Sequence, residues 1–282
     1  MRIGFVTDST ADVPVELAGH YGIEIVPAMV NIGSNSYTDG VDISREKFYA
    51  SLPDMNPSPT TSSPSVGSFQ ERYEKLLRAG ADSVVSIHPP NELSGIFNAA
   101  RLAAELFGQR VKVLDSGQVS LGLGFQVIMA AEAAAHGAIL NEVTALVDSI
   151  RRRVRLVALL DSIEYIHRSG RVSWAVAKIG GIFRLKPLVE LRFGIVHRLG
   201  QARTHLQGIE RLLDNLNSWG KLERLAVLHT NAECAALQLL EKVKSKVIVQ
   251  PLLINVTTAI GTHVGPNGLG FSAVPFYKGL SR

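Results

Sequence analysis

Short β-rich runs alternate with helix-patterned stretches through the first half of the chain, and this alternation limits the fold more than any other feature. RIGFVTD (2–8), EIVPAMVNI (24–32), DSVVSIH (82–88) and VKVLDS (111–116) read as strands, because β-branched residues cluster in them and turn formers bound them. Helical patterns lie between. Phe69, Tyr73, Leu76 and Leu77 recur at helical spacing, and Ser63-Pro64 supplies a cap followed by proline at the first helical position, so a helix is expected just after Thr61-Ser62. NELSGIFNAARLAAELFG (91–108) becomes an alanine- and leucine-rich helix with Gly108 as its stop. Strands and helices in alternation imply a mainly parallel sheet clothed by helices.

The second half reads differently. A helix is expected from about Phe125 to Arg153, ending in RRRVR (151–155). LVALLD then opens a pattern of helices, a hairpin around Phe193-Gly194, and the strands RLAVLHT and VIVQPLLINV. With 282 residues the chain is in the range where one core divides into two lobes. The expected fold class is therefore α/β and two-lobed: a mainly parallel α/β domain over 1–156, an α+β domain over 157–282, and a ligand cleft between them. LPDMNPSPTTSSPS (52–65), with four prolines, reads as a long loop whose length invites a functional role.

Charge and composition narrow the partners. A net charge of +4 is small for this length, and 6% aromatic content gives no base-stacking platform, so nucleic acid is not expected. Transient contact with an anionic membrane surface is the most that this charge supports. The single cysteine, Cys234, excludes an internal disulfide and a cysteine-based metal cluster and fits a reducing compartment. The amino end has no long apolar segment of the signal-peptide kind, and a folded cytoplasmic protein is expected. The eight histidines have no metal-ligand spacing, and His88 and His229, at strand ends, read as structural.

Hydroxyl-bearing residues collect where strands end and helices begin: Asp8-Ser9-Thr10, Thr61-Ser62, Ser94 and Asp115-Ser116. In open α/β sheets ligands bind at such ends, and helix amino termini favour anions, although the same residues serve routinely as caps and turns. GTHVGPNGLG (261–270) packs four glycines and a proline around His263. It is neither a dinucleotide fingerprint nor a P-loop, and the glycines are expected to bend a loop so that His263 points into the cleft. Ser94, His263 and Asp8 together contain the residue types of a hydrolase triad, without a G-x-S-x-G elbow. Arg151, Arg152, Arg153 and Arg155 could dock an acidic partner or a lipid surface, or form a solvated helix end.

VTDSTAD (6–12), TSSPSVGSF (61–69), LSGIFNAA (93–100), DSGQVSLGLG (115–124), RSGRVS (168–173), KPLVEL (186–191) and GTHVGPNGLG occur in one order along the chain. In that order they resemble the DegV family nearly end to end. The resemblance implies a carrier, not an enzyme, that holds one long-chain fatty acid such as palmitate and in many bacteria offers it to a separate fatty acid kinase, which makes the acyl phosphate used in phospholipid synthesis. It implies Thr61, Ser94 and His263 at the carboxylate, with Arg171 nearby, and no metal, no cofactor and no catalytic residue in this chain. Three places depart from the family pattern. Pro90 to Ile96 lacks two serines and a threonine, Asn267 replaces a glycine, and Ser169 stands where glycine is usual. The alternative is a small-molecule hydrolase or phosphotransferase using Ser94 and His263 in the same cleft.

Overall fold

The computed structural model describes residues 2–172, 174 and 185–276; Ser173 of the RSGRVS motif and residues 277–282 of the expected second domain lie outside these. β1 (Ile3–Asp8), β2 (Ile23–Val26), β6 (Ser83–His88) and β7 (Val111–Asp115) form a parallel sheet in the order β2-β1-β6-β7. Every residue of β6 is buried, which fits a parallel strand covered on both faces. Side chains of alternate residues separate two cores. Val6 and Val84 pack with Phe69 and Tyr73 of α3 (Val66–Arg78) and Ala100 of α4 (Ile96–Ala104). Phe5, Val85 and Ile87 pack against α5 (Leu121–Ala135), beside α1 (Val15–Tyr21).

Several element boundaries differ from the sequence expectation, each for a local reason. EIVPAMVNI is not one strand: it breaks at Pro27-Ala28, and β3 (Met29–Ile32) turns into a separate antiparallel sheet, β4-β3-β5, with β4 (Asn35–Thr38) and β5 (Thr60–Ser62). Proline cannot donate to a ladder, so the switch comes where a donor is missing. Thr61 and Ser62 are thus strand residues, and the next helix is capped by Ser65, whose hydroxyl accepts from Ser68 N at 3.1 Å. The expected helix from Phe125 to Arg153 is two, α5 and α6 (Leu140–Arg153), parted at Gly137 with φ 95°. Between β4 and β5, α2 (Arg45–Ser51) starts from a Ser44 cap.

The remaining strands are β8 (Arg155–Leu159), β9 (Lys186–Arg192), β10 (Ile195–Ala202), β11 (Leu222–His229), β12 (Leu252–Asn255) and β13 (Leu269–Pro275), ordered β10-β9-β8-β13-β11-β12. All neighbours are antiparallel except β11 and β12. The hairpin at Phe193-Gly194 forms as expected, with φ 49° and 79°, the positive pair that a two-residue turn matching strand twist requires. α8 (His205–Asn217) and α9 (Glu233–Val243) cover the outer face. On the inner face Leu156, Leu191, Leu228 and Val274 join the core cluster of α5, which also holds Phe5 and Ile87. The parallel sheet and the six-stranded sheet therefore share one apolar core. α7 (Glu164–Arg168) packs against α10 (Thr258–Val264), which also meets α2, β3 and β5.

The basic run at the end of α6 is not a free surface. Arg151 lies 3.7 Å from Asp115, Arg153 2.6 Å from Glu223 and Arg155 2.8 Å from Glu190, while Arg152 pairs with Asp148. Each guanidinium has a carboxylate partner, and the Arg152–Asp148 pair is solvent-exposed, where such pairs are weak.

Candidate functional site

His263 does not sit in a glycine-bent loop. It occupies the last turn of α10, and the surrounding glycines make room for that helix. A Cβ on Gly261 would lie 2.3 Å from the Tyr49 hydroxyl, and one on Gly265 2.3 Å from the Tyr165 ring. Gly265 also has φ 79° and ends the helix, a backbone angle suited to glycine. Asn267 follows at φ 60°, which asparagine tolerates better than most residues.

Three of the four residues singled out in the sequence meet directly. Thr61 Oγ1 lies 2.8 Å from His263 Nε2, and Arg171 Nη1 lies 3.3 Å from His263 Nδ1. A guanidinium can only donate, so Nδ1 accepts and Nε2 carries the ring proton and donates to Thr61. Arg171 Nη2 also points to Thr61 Oγ1, at 3.5 Å. With its oxygen receiving these donors, the Thr61 hydroxyl hydrogen is left to donate elsewhere. Ser94 is joined more loosely: its neighbour Leu93 accepts from Arg171 Nε at 2.9 Å. The Ser94 oxygen accepts from Ile96 N at 3.3 Å, so its hydrogen too is free to donate.

Burial and the adjacent guanidinium lower the His263 pKa to about 3, and burial lowers that of Arg171. The imidazole is therefore neutral at ordinary pH and Arg171 is the charge of the site. Among the described residues Arg171 forms no ion pair. The geometry argues against the hydrolase triad. Both His263 nitrogens are engaged by Thr61 and Arg171, and a cation stands where a triad would place the orienting carboxylate. Asp8 bonds another histidine, with His88 Nδ1 at 2.7 Å, and His88 Nε2 lies 2.6 Å from Ser86 Oγ. All three side chains of that chain are fully buried, out of reach of a substrate in the cavity.

Thr61, Ser94, Arg171 and His263 line a cavity of about 220 Å³. Its other walls are mainly apolar: Leu156 and Leu160 from β8 and its end, Val189 and Leu191 from β9, Leu228 from β11 and Ile260 from α10. These residues were not legible as a site, because each looks like ordinary core in sequence. A cluster of cationic and hydroxyl donors at an oily slot fits one chemical shape: an anion with a hydrocarbon tail. Among the described residues no group of three or more His, Cys, Asp or Glu side chains gathers as a metal set, and no helix is long and apolar enough to cross a membrane.

Comparison with known proteins agrees with the order of motifs. A family model described as "Uncharacterised protein, DegV family" matches residues 2–275. A DegV domain-containing protein of Caldanaerobacter subterraneus is 32% identical over 274 residues, covering 95% of this chain and 97% of its own. Among solved structures, a fatty-acid-binding DegV family protein from Thermus thermophilus superposes with a TM-score of 0.91 at 33% identity, covering 98% of this chain and 100% of its own. DegV of Bacillus subtilis, described as a fatty acid binding protein, gives 0.85 at 28% identity over 98% and 100%. With its fold and nearly its whole length matched, this chain belongs to the DegV family.

Proposed function

We propose that the protein binds a long-chain fatty acid such as palmitate, with the tail in the slot and the carboxylate at Thr61, Ser94, His263 and Arg171. One observation carries the reading: a guanidinium with no carboxylate partner among the described residues and two free hydroxyl hydrogens stand at a cavity whose walls are mainly apolar. A buried carboxylate without partners is costly, and this site offers it a charge and several donors. Each charge-assisted hydrogen bond contributes roughly 1.5–3 kcal/mol. At about 0.8 kcal/mol per buried methylene, a long chain adds on the order of 10 kcal/mol, so the tail supplies affinity and the head sets orientation. The fatty acid binding described for the Thermus and Bacillus relatives supports the same ligand class.

His263 acts here as a neutral donor and not as a base. It fixes Thr61 by giving it the Nε2 proton, and Thr61 passes a hydrogen bond on to the ligand. The protein is then a cytoplasmic carrier that presents the carboxylate to a separate fatty acid kinase, which supplies ATP and metal and forms the acyl phosphate.

Titration with a fluorescent fatty acid tests the head-group site. Thr61→Val, Ser94→Ala and His263→Ala are each expected to weaken binding about tenfold or more; affinities equal to the parent would refute the assignment. With a matched kinase and ATP, bound palmitate should be converted to acyl phosphate, and absence of turnover would leave carriage without presentation.

A further inference from the structure

We infer that Asp12 and Asp39, with Arg45, are positioning residues that hold the helix of His263 in register with the head-group site. The inference rests on the fatty acid reading for its function but on separate geometry. Helix α10 is only seven residues long, too short to keep its place alone. The segment leading into it is instead gripped by side chains from the amino-terminal half of the chain. Asp12 Oδ1 accepts from Thr257 N at 3.0 Å, and Asp39 accepts from the hydroxyls of Thr257 and, at 2.5 Å, Thr258. Arg45 lies 3.2 Å from Asp12 and donates to the Asn255 carbonyl. The Tyr49 hydroxyl donates to the Val256 carbonyl at 2.9 Å, and it is the atom that Gly261 makes room for.

Stability alone does not account for this arrangement. Asp12 and Asp39 are both buried, only Asp12 has the Arg45 guanidinium beside it, and burial pushes Asp12 up to about 6. Apolar packing of the same volume is often as stable or more so. What the polar cluster adds is direction: each oxygen meets a donor at one position, which fixes the helix along its axis and in rotation. The cluster also reaches the slot. Asp12 Oδ2 accepts from Ser120 Oγ at 2.7 Å, and Ser120 lines the cavity with His263 and Ile260. Moving α10 would displace the His263 ring from both Thr61 and Arg171, which lie outside that helix.

The test compares palmitate with 1-hexadecanol, which has the same tail and no carboxylate, as competitors of a fluorescent fatty acid. Asp12→Asn and Asp39→Asn are expected to weaken palmitate about tenfold and hexadecanol less than about threefold. In a His263→Ala background the same substitutions should cost palmitate almost nothing more. Equal losses for both ligands, no loss, or additive losses would overturn the inference. A ligand-free measurement separates it from the fatty acid reading: the His263 ring signals in NMR spectra should move in Asp39→Asn, and unmoved signals would refute the positioning role. A parent that binds neither ligand while those signals still move would sink the fatty acid reading and leave the anchoring intact. Thr258→Val, which removes a single bond to Asp39, gives the same contrast in reduced form should a carboxylate variant fail to fold.

Discussion

At the scale of single residues the site is governed by one imidazole kept neutral and one guanidinium that has no ion-pair partner among the described residues. The unfolded chain protonates His263 near 6.5, whereas the folded protein resists until about 3. A lowered histidine pKa contributes stability that is complete above about 6.5 and is lost as pH falls through about 3. At 1.36 kcal/mol per pH unit this amounts to about 5 kcal/mol. Asp12 runs the other way. Raised from 3.8 to about 6, it contributes stability present below 3.8 and lost as pH rises through 6, so the two slopes oppose each other across that interval. The raw stability curve of the parent therefore hides both. The difference between parent and His263→Gln isolates the histidine: urea denaturation from pH 7 to 3 should show the parent losing about 4 kcal/mol relative to the variant. A constant difference would mean that His263 titrates normally in the fold. Thr61, Ser94, His263 and Arg171 could be singled out in sequence through motifs that resemble the DegV family. Asp12, Asp39 and Arg45 were not, because nothing in VTDSTAD says that its last aspartate reaches a backbone N–H 245 positions away.

At the scale of elements, α10 is the part on which the site turns, and its glycines are the point of greatest constraint. Replacing Gly261 by alanine would put a methyl group 2.3 Å from a buried tyrosine hydroxyl that is itself bonded to Val256 and Thr257. Neither side can yield without breaking those bonds. Overpacking of this kind costs roughly 1–3 kcal/mol, so Gly261→Ala should lower thermal stability by that amount and weaken palmitate, while Gly19→Ala, which meets nothing within 4 Å, should do neither. Equal behaviour of the two would refute the close-packing argument. The same helix marks the limit of reading elements from sequence. Parallel strands, the 193–194 hairpin and α3 were visible because their patterns are local. The helical identity of residues 258–264 was hidden behind the glycines, which look like loop formers until Tyr49 and Tyr165 are seen against them. The break between α5 and α6 was missed for a related reason: alanine-rich sequence continues up to His136, and only Gly137 at φ 95° parts the two.

At the scale of the molecule, the two sheets are joined more closely than a simple two-lobed reading suggests. α5 is buried from Leu121 to Ala131, and its cluster takes in Phe5 and Ile87 from the parallel sheet with Leu156, Leu191 and Leu228 from the other. Leu156, Leu191 and Leu228 also line the cavity, so the surface that a ligand tail would cover is continuous with the surface that holds the halves together. Neither half can open without exposing this shared core to water. Calorimetry should accordingly give one cooperative transition rather than two, and palmitate should raise its midpoint without splitting it. With free ligand at about 100 times its Kd the native state gains about 2.7 kcal/mol, which corresponds to a rise on the order of 5 °C for a chain of this size. In the proposed binding mode the tail carries most of the affinity, so His263→Ala should keep the single transition and lose part of the shift at the same palmitate concentration. Two resolved transitions, with only one responding to palmitate, would show that the halves fold independently and that the tail is held by one of them alone.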